Sequence, residues 1–382
     1  MMSTLSVGDP APWFISQPIA TSAPDLTVGG YRSVLFFFGS ASNPQIQPIV
    51  ASFLRAKAQL QQAGITFLGV SIDPNDRQLE AQVQPSESFR WLWDLDGDLS
   101  IRYGVCQLDE TGGIAYDPTT FILDENLRVL AVIPLETHRQ HVDRVLSVVK
   151  NLPQPEPPRQ IKQVAPALFV PNVLSPEFCQ QLIQLYRADG GTESGVMRSQ
   201  GNQVQVAIDR NLKRRRDWMV TDAQLLEQIN AYIGRRVRPE VEKAFQYRIS
   251  HFERYLVACY DDQSQGFFSR HRDNTNVGMI HRRFAMTLNL NDGYEGGCLR
   301  FPEYGTDLYS PEPGGAVLFS CSLLHEVTPV TRGTRFVLLS FFYGEMEAQF
   351  REQTLQKIQR EGGSGVDFAA GNLPIDPVKG EK

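Results

Sequence analysis

Four prolines occupy the six positions 153–158, and no other stretch constrains the chain as strongly. Proline lacks a backbone N–H and fixes φ, so neither a helix nor an interior strand can run through such a segment. An extended, semi-rigid linker is therefore expected over 153–164. The chain on either side of it must bury a core of its own. The 382 residues suffice for two such units, and no internal repeat relates them.

Residues 1–152 alternate strand and helix signals. From Tyr31 to Phe38 the chain becomes continuously apolar, as in a strand covered on both faces. Ile46, Ile49, Val50, Phe53, Leu54 and Leu60 then recur at helical spacing. Asn43 is the expected cap of that helix, and Pro44 its expected first residue. Ile65 to Ser71 predicts a second buried strand, 119–124 and 129–133 a hairpin, and His141 to Val149 a last helix. This order predicts an α/β layer with parallel strands.

The second unit is expected over 165–348. Ser175-Pro-Glu predicts a helix start, with Ser175 as cap. Residues 188–203, rich in Gly, Ser and Asn, read as a loop. The basic run Lys213–Arg216 reads first as a solvated charged face, with a substrate-facing flap as the alternative. Thr221 to Gln246 is helical by pattern, and a β-rich core follows from about Ser250 to Tyr343. A short helix and a flexible tail are expected over 349–382.

Within the β-rich core, His271 and Asp273 stand two residues apart, so on an extended strand both face the same way. His325 follows the apolar run Ala316–Phe319, which reads as a buried strand. Two imidazoles and one carboxylate on one face of a metal leave its other positions open, the ligand pattern of non-haem Fe(II) oxygenases. Arg335 opens another β-rich run. A guanidinium beside the metal can hold a carboxylate through two parallel hydrogen bonds, which suits 2-oxoglutarate. Arg332 is the competing candidate.

These residues belong to a longer ordered set: Ala258-Cys-Tyr260, Gly266, His271-x-Asp273-Asn274, Glu295-Gly-Gly297, Phe301-Pro302, Pro313-Gly-Gly-Ala316, His325-Glu-Val327-x-Pro329 and Arg335. The set, within residues 166–345, resembles the 2-oxoglutarate/Fe(II)-dependent dioxygenases of the prolyl-hydroxylase type. The resemblance implies a double-stranded β-helix (jelly-roll) core with supporting helices, and His271, Asp273 and His325 as catalytic metal ligands. It also implies Arg335 and Tyr260 beside the co-substrate. The cofactors implied are Fe(II), 2-oxoglutarate and O2, with ascorbate a further candidate.

The first unit resembles the peroxiredoxin branch of the thioredoxin fold. The carrying residues are Val7-Gly-Asp-Pro-Ala-Pro12, the 36–44 turn, Asp94-x-Asp96-Gly97, Arg102-Tyr-Gly-Val105 and Thr120-Phe-Ile-Leu-Asp124. The departures carry more weight. Asn43-Pro44 stands where that family has its nucleophilic cysteine, and Pro118 or Thr119 where it has an arginine. Cys106 is the unit's one cysteine and reads as a small buried group. The expectation is a scaffold for docking or dimerisation, without peroxidase activity.

A formal charge of −6 does not favour nucleic acid or an anionic membrane as partner. There is no N-terminal apolar leader pattern and no apolar run near membrane-spanning length. Five cysteines without a C-x-x-C pair fit a reducing cytoplasm. The favoured reaction is hydroxylation of an unactivated C–H in a protein or peptide, with proline the leading target. A free amino acid or small metabolite as substrate stays open. So does a catalytically inactive binding protein, or a thiol redox role through a cysteine.

Overall fold

A computed structural model describes residues 5–360, apart from 13, 17–25, 28, 83–87, 109–112, 137–139, 155–156 and 201–202, together with 373–374. The chain separates into two compact units, Met1–Pro158 and Arg159–Lys382.

In the first unit five strands form one sheet, in the order Phe89–Trp93, Thr66–Ser71, Ser33–Gly39, Thr119–Leu123 and Val129–Pro134. The first three pair in parallel and the last two antiparallel. The central strand is apolar from Val34 to Phe38, and both its faces are covered. Phe36 and Phe38 pack with the helices Gln47–Gln62 and His141–Lys150, while Leu35 and Phe37 pack with Leu99 and Tyr103. Phe53 links the layers, its ring 4.9 Å from Phe36 and 4.8 Å from Phe67. Each such buried ring contributes roughly 1.5–3 kcal/mol. This is a thioredoxin-like layer.

Asn43 does not cap the first helix. The helix begins at Gln47 with Ile46 at its N-cap and Pro48 in its first turn. Asn43 lies in the preceding turn, where its Oδ1 accepts from the Gln45 N–H at 2.9 Å. Asn bonds its own local backbone as readily as it caps a helix. Pro48, not Pro44, supplies the fixed φ at the helix start.

The second unit is built on two main antiparallel sheets, with two further two-stranded pairs among the described residues. The larger runs Ala167–Val170, Ala316–Ser320, Phe284–Asn289, Thr334–Tyr343, Leu256–Asp261, Arg216–Met219 and Thr192–Glu193. The smaller runs Lys213–Arg214, Phe267–His271, His325–Val327, Leu299–Arg300 and Leu308–Tyr309. Together they make a jelly roll. Strand alternation assigns the faces of the larger sheet. Val257, Cys259, Met286, Leu288, Phe336 and Leu338 pack with the helices Pro176–Asp189, Ala223–Arg236 and Arg238–Phe245. Their neighbours Tyr260, Thr287, Asn289 and Arg335 are left for the opposite face.

Ser175 caps the first of these helices, its Oγ accepting from the Phe178 N–H at 3.3 Å. Asp222 caps the second through the Leu225 N–H at 2.8 Å. The helical stretch expected over 221–246 breaks at Val237, because Pro239 belongs in the first turn of a new helix and clashes inside a continuing one. The loop expected over 188–203 is also corrected. Thr192–Glu193 joins the larger sheet, and Val196–Gln200 pairs antiparallel with Gln203–Ala207. The tail from Glu361 lies outside the described residues, except that Leu373–Pro374 pair with His251–Phe252. Among the described residues no helix is long and apolar enough to cross a membrane.

Candidate active site

His271 ends the strand Phe267–His271, and His325 opens the neighbouring strand His325–Val327. The two are cross-strand partners, with ring centroids 4.2 Å apart. Asp273 reaches them by another route than the alternation expected from sequence, because the strand stops at His271 and Asp273 sits in the turn beyond it. Its N–H donates to the Cys321 carbonyl at 2.9 Å, which fixes that turn. Asp273 Oδ1 lies 3.4 Å from His271 Nε2, and Oδ2 lies 3.3 Å from His325 Nε2. One ligand atom from each of the three lies within 4.8 Å of the others.

The donor set suits a divalent cation. His271 Nδ1 lies 2.7 Å from the Ser269 carbonyl, and His325 Nδ1 lies 3.0 Å from the Leu323 carbonyl. A carbonyl only accepts, so each Nδ1 carries a proton and Nε2 is the atom left to offer a lone pair to a metal. Burial pushes the His325 imidazole down to about 4 despite the pull of Asp273. Burial opposes ionisation of Asp273 too, but the imidazoles of His325 and His271 and the Arg282 guanidinium outweigh it and hold the carboxyl below the usual range. Behind the turn, Arg282 donates to the Asp273 carbonyl at 3.2 Å and to both oxygens of Glu253 at 2.5 and 2.6 Å.

The triad opens on a cavity of about 320 Å³ that Tyr260, Thr287 and Arg335 also line. Tyr260 and Arg335 are cross-strand partners, and the guanidinium carbon stands 5.7 Å from the tyrosine ring centroid. Arg335 is only 2 % exposed. Its Nε and Nη2 donate to Asn289 Oδ1 at 3.3 and 2.8 Å, and Nη2 also to Thr287 Oγ1 at 3.3 Å. Among the described residues Arg335 has no carboxylate partner, and its Nη1 has no protein acceptor. Arg332 instead makes an exposed ion pair with Glu295 at 3.1 Å. Gly297 makes room for the buried arginine. A Cβ there would come within 3.0 Å of Arg335 Cδ and 2.8 Å of a Val330 methyl, at a φ of +62° that favours glycine anyway.

Sequence reasoning missed Thr287 and Asn289. Their signal was present as polar residues two apart on an otherwise apolar strand, which places both on one face. It also missed Glu253 and Arg282, whose pairing spans 29 positions and has no local signature. The solvated face expected at Lys213–Arg216 is corrected for half of its members. Lys213 is buried at 6 %, and the Arg215 side chain at 8 % is paired with Asp217 at 2.6 Å. The five cysteines are free. Burial, then the Asp94 charge, pushes the Cys106 thiol up from its usual value.

Residues 255–343 match the 2OG-Fe(II) oxygenase superfamily, and residues 7–132 match the AhpC/TSA family. A PKHD-type hydroxylase of Shewanella sp. strain ANA-3 is 31 % identical over 182 residues, 44 % of this chain and 73 % of that protein. A multifunctional procollagen lysine hydroxylase and glycosyltransferase of Caenorhabditis elegans is 26 % identical over 194 residues, 49 % of this chain. The chain spans 25 % of the length of that relative, and 24 % of its rat counterpart. The solved structure of a Pseudomonas putida prolyl-4-hydroxylase aligns with a TM-score of 0.38 and 19 % identity, over 47 % of this chain and 94 % of that one.

Proposed function

Because the chain belongs to the 2OG-Fe(II) oxygenase superfamily through its second unit, we propose that it is an Fe(II)- and 2-oxoglutarate-dependent dioxygenase. In this reading residues 165–348 form the catalytic domain and hydroxylate an unactivated C–H, with a prolyl residue of a protein or peptide the first candidate. One observation carries the reading. A buried guanidinium with no carboxylate partner among the described residues lines the same cavity as a two-histidine, one-carboxylate cluster. Such a cavity takes a molecule with a carboxylate at one end and a chelating group at the other.

His271, Asp273 and His325 would hold the metal, and Arg335 the distal carboxylate of 2-oxoglutarate. When bound, the metal with O2 and 2-oxoglutarate supplies the oxidation: R–H, O2 and 2-oxoglutarate yield R–OH, succinate and CO2. The chain's own task is orientation. The Ser269 and Leu323 carbonyls hold the imidazoles with Nε2 inward. Asn289 and Thr287 hold the Arg335 fork, and Tyr260 walls the cavity beside it. The apolar lining from Leu256, Phe268, Phe319 and Leu339 limits water around the reacting groups.

The first unit, residues 1–152 in this reading, is a redoxin-like scaffold for docking or dimerisation. Asn43 offers no thiol, and the thiol of the buried Cys106, which opens a strand, is pushed up by burial and the Asp94 charge, which supports a non-peroxidase role. Five free cysteines support a cytoplasmic setting. Turnover tests the whole. Asp273→Ala removes the one anionic ligand and is expected to abolish Fe(II)-dependent conversion of 2-oxoglutarate to succinate. Wild-type conversion by this variant would sink the assignment.

A further inference from the structure

The charges around the cavity do not balance once metal and 2-oxoglutarate are assigned to it. Each carboxylate near the wall is already taken. Asp217 receives two hydrogen bonds from Arg215, at 2.6 and 2.7 Å. Glu253 is shared by two guanidiniums, Arg282 and Arg254, the latter at 2.6 Å. Arg335 and the metal would meet the two carboxylates of 2-oxoglutarate. Lys213 is left over. Its ammonium donates to the Gly195 carbonyl at 3.1 Å and stands 4.8 Å from the Phe268 ring centroid. Among the described residues it has no carboxylate at ion-pair distance.

The position of Lys213 points to the substrate side of the cavity. Lys213 is the cross-strand partner of Phe268 on the smaller sheet, and the Phe268 ring stacks on His271 with centroids 3.6 Å apart. Arg335 projects from the larger sheet. Lys213 thus reaches the cavity past the metal cluster's own strand, on the sheet opposite the co-substrate anchor. Arg254 lines the same cavity with its side chain 26 % exposed. Asp217 and Asp273 act on Lys213 only from beyond ion-pair distance. A buried ammonium without a contacting carboxylate is unfavourable by several kcal/mol, and such groups collect where a ligand completes them.

We infer that Lys213, with Arg254 beside it, is a subsite for a carboxylate carried by the substrate. This rests on the oxygenase reading above and narrows its substrate to an anion. The carboxylate is that of a free amino acid or of an acidic residue flanking the target in a peptide. A phosphate ester fits less well, because the cavity of about 320 Å³ must also admit 2-oxoglutarate. Burial, and then the Arg215 charge, draws the Lys213 ammonium well below its usual pKa, so a partner anion has a charge to restore.

The test uses the full chain loaded with Mn(II) and 2-oxoglutarate, titrated calorimetrically with matched pairs. One arm compares L-proline and L-lysine with their amides. The other compares acetylated, amidated pentapeptides with a central proline flanked by Glu with the same peptides carrying Gln. In at least one pair the carboxylate is expected to bind about tenfold tighter or more, the worth of one charged hydrogen bond. The arm that shows it names the source of the carboxylate. Lys213→Met and Lys213→Gln are expected to erase the preference and to move 2-oxoglutarate affinity less than about threefold, under half of that hydrogen bond in free energy. The inference is overturned if no wild-type pair favours the carboxylate, a comparison that stands even if both variants misfold. It is also overturned if the preference survives in folded variants, or if these lose 2-oxoglutarate as Arg335→Ala does. Failure of the wild type to bind 2-oxoglutarate with Mn(II) refutes the oxygenase reading, and the inference with it.

Discussion

Arg335→Ala separates the co-substrate site from the metal site. The guanidinium has five N–H donors. The Nε donor and those of Nη2 go to Asn289 and Thr287, which leaves both of Nη1 for a ligand. A charged hydrogen bond to a carboxylate contributes about 1.5–3 kcal/mol, and 1.4 kcal/mol is tenfold in affinity. Loss of one such bond weakens 2-oxoglutarate binding by about 10- to 150-fold. Loss of two would exceed this, but water entering the vacated space offsets part of the second. The cost to the fold is smaller, about 1–2 kcal/mol, because the space Arg335 vacates beside Asn289 Oδ1 and Thr287 Oγ1 adjoins the cavity that Thr287 lines, from which water can fill it. Arg335→Lys keeps the charge without the planar fork and is expected to fall between wild type and Ala. The assay is calorimetric titration of 2-oxoglutarate into the Mn(II)-loaded full chain, with Mn(II) affinity measured alongside. Unchanged 2-oxoglutarate affinity in Arg335→Ala would refute the anchor and turn attention to other cations of the cavity. Equal loss of Mn(II) would show that the arginine supports the metal ligands instead.

Glu253→Gln leaves Arg282 buried without its counter-charge, which is expected to destabilise the second unit by about 3–5 kcal/mol and loosen metal binding through the Asp273 carbonyl. Thermal unfolding and Mn(II) titration check both, and an unchanged Mn(II) affinity would mean that the pair is structural only. In the first unit, burial and then Arg144 lower the pKa of His141 to about 4, with Thr120 Oγ1 at 2.7 Å from its Nε2. The unfolded chain therefore takes up a proton first as pH falls. Stability present above about 6.5 is lost between about 6.5 and 4, by about 3 kcal/mol at most. Amide exchange in the strand Thr119–Leu123 is expected to rise through that window in wild type and to stay flat in His141→Gln. Thiol-dependent peroxide reduction by the full chain should be negligible and indifferent to Cys106→Ser; a robust rate lost in that variant would restore a redox role.

What the sequence disclosed, and what it hid, divides by the range of the interactions. The ligand candidates His271, Asp273 and His325 were legible as residue types in order, yet only the fold brings His325 opposite His271. Tyr260 beside Arg335 was legible only through the family resemblance, because 256–261 and 334–343 are nearly continuous apolar runs, and it is the register of the two strands that sets Tyr260 opposite Arg335. Patterning failed where strands are too short to show a period. Lys213–Arg214 and Arg216–Met219 belong to different sheets, and the chain turns between them. A run of basic residues in a flat sequence window reads as one solvated face, whereas here Lys213 and Arg215 turn inward and Arg216 outward. The pairing of Val196–Gln200 with Gln203–Ala207 was hidden for a related reason, since it comes from cross-strand partners and not from the polar composition that suggested a loop. The two misread segments adjoin each other and supply Gly195, Val196, Lys213 and Arg215 to the cavity wall. Local sequence signals are weakest where a chain must present polar groups inward, and in this fold that is the wall a substrate would meet.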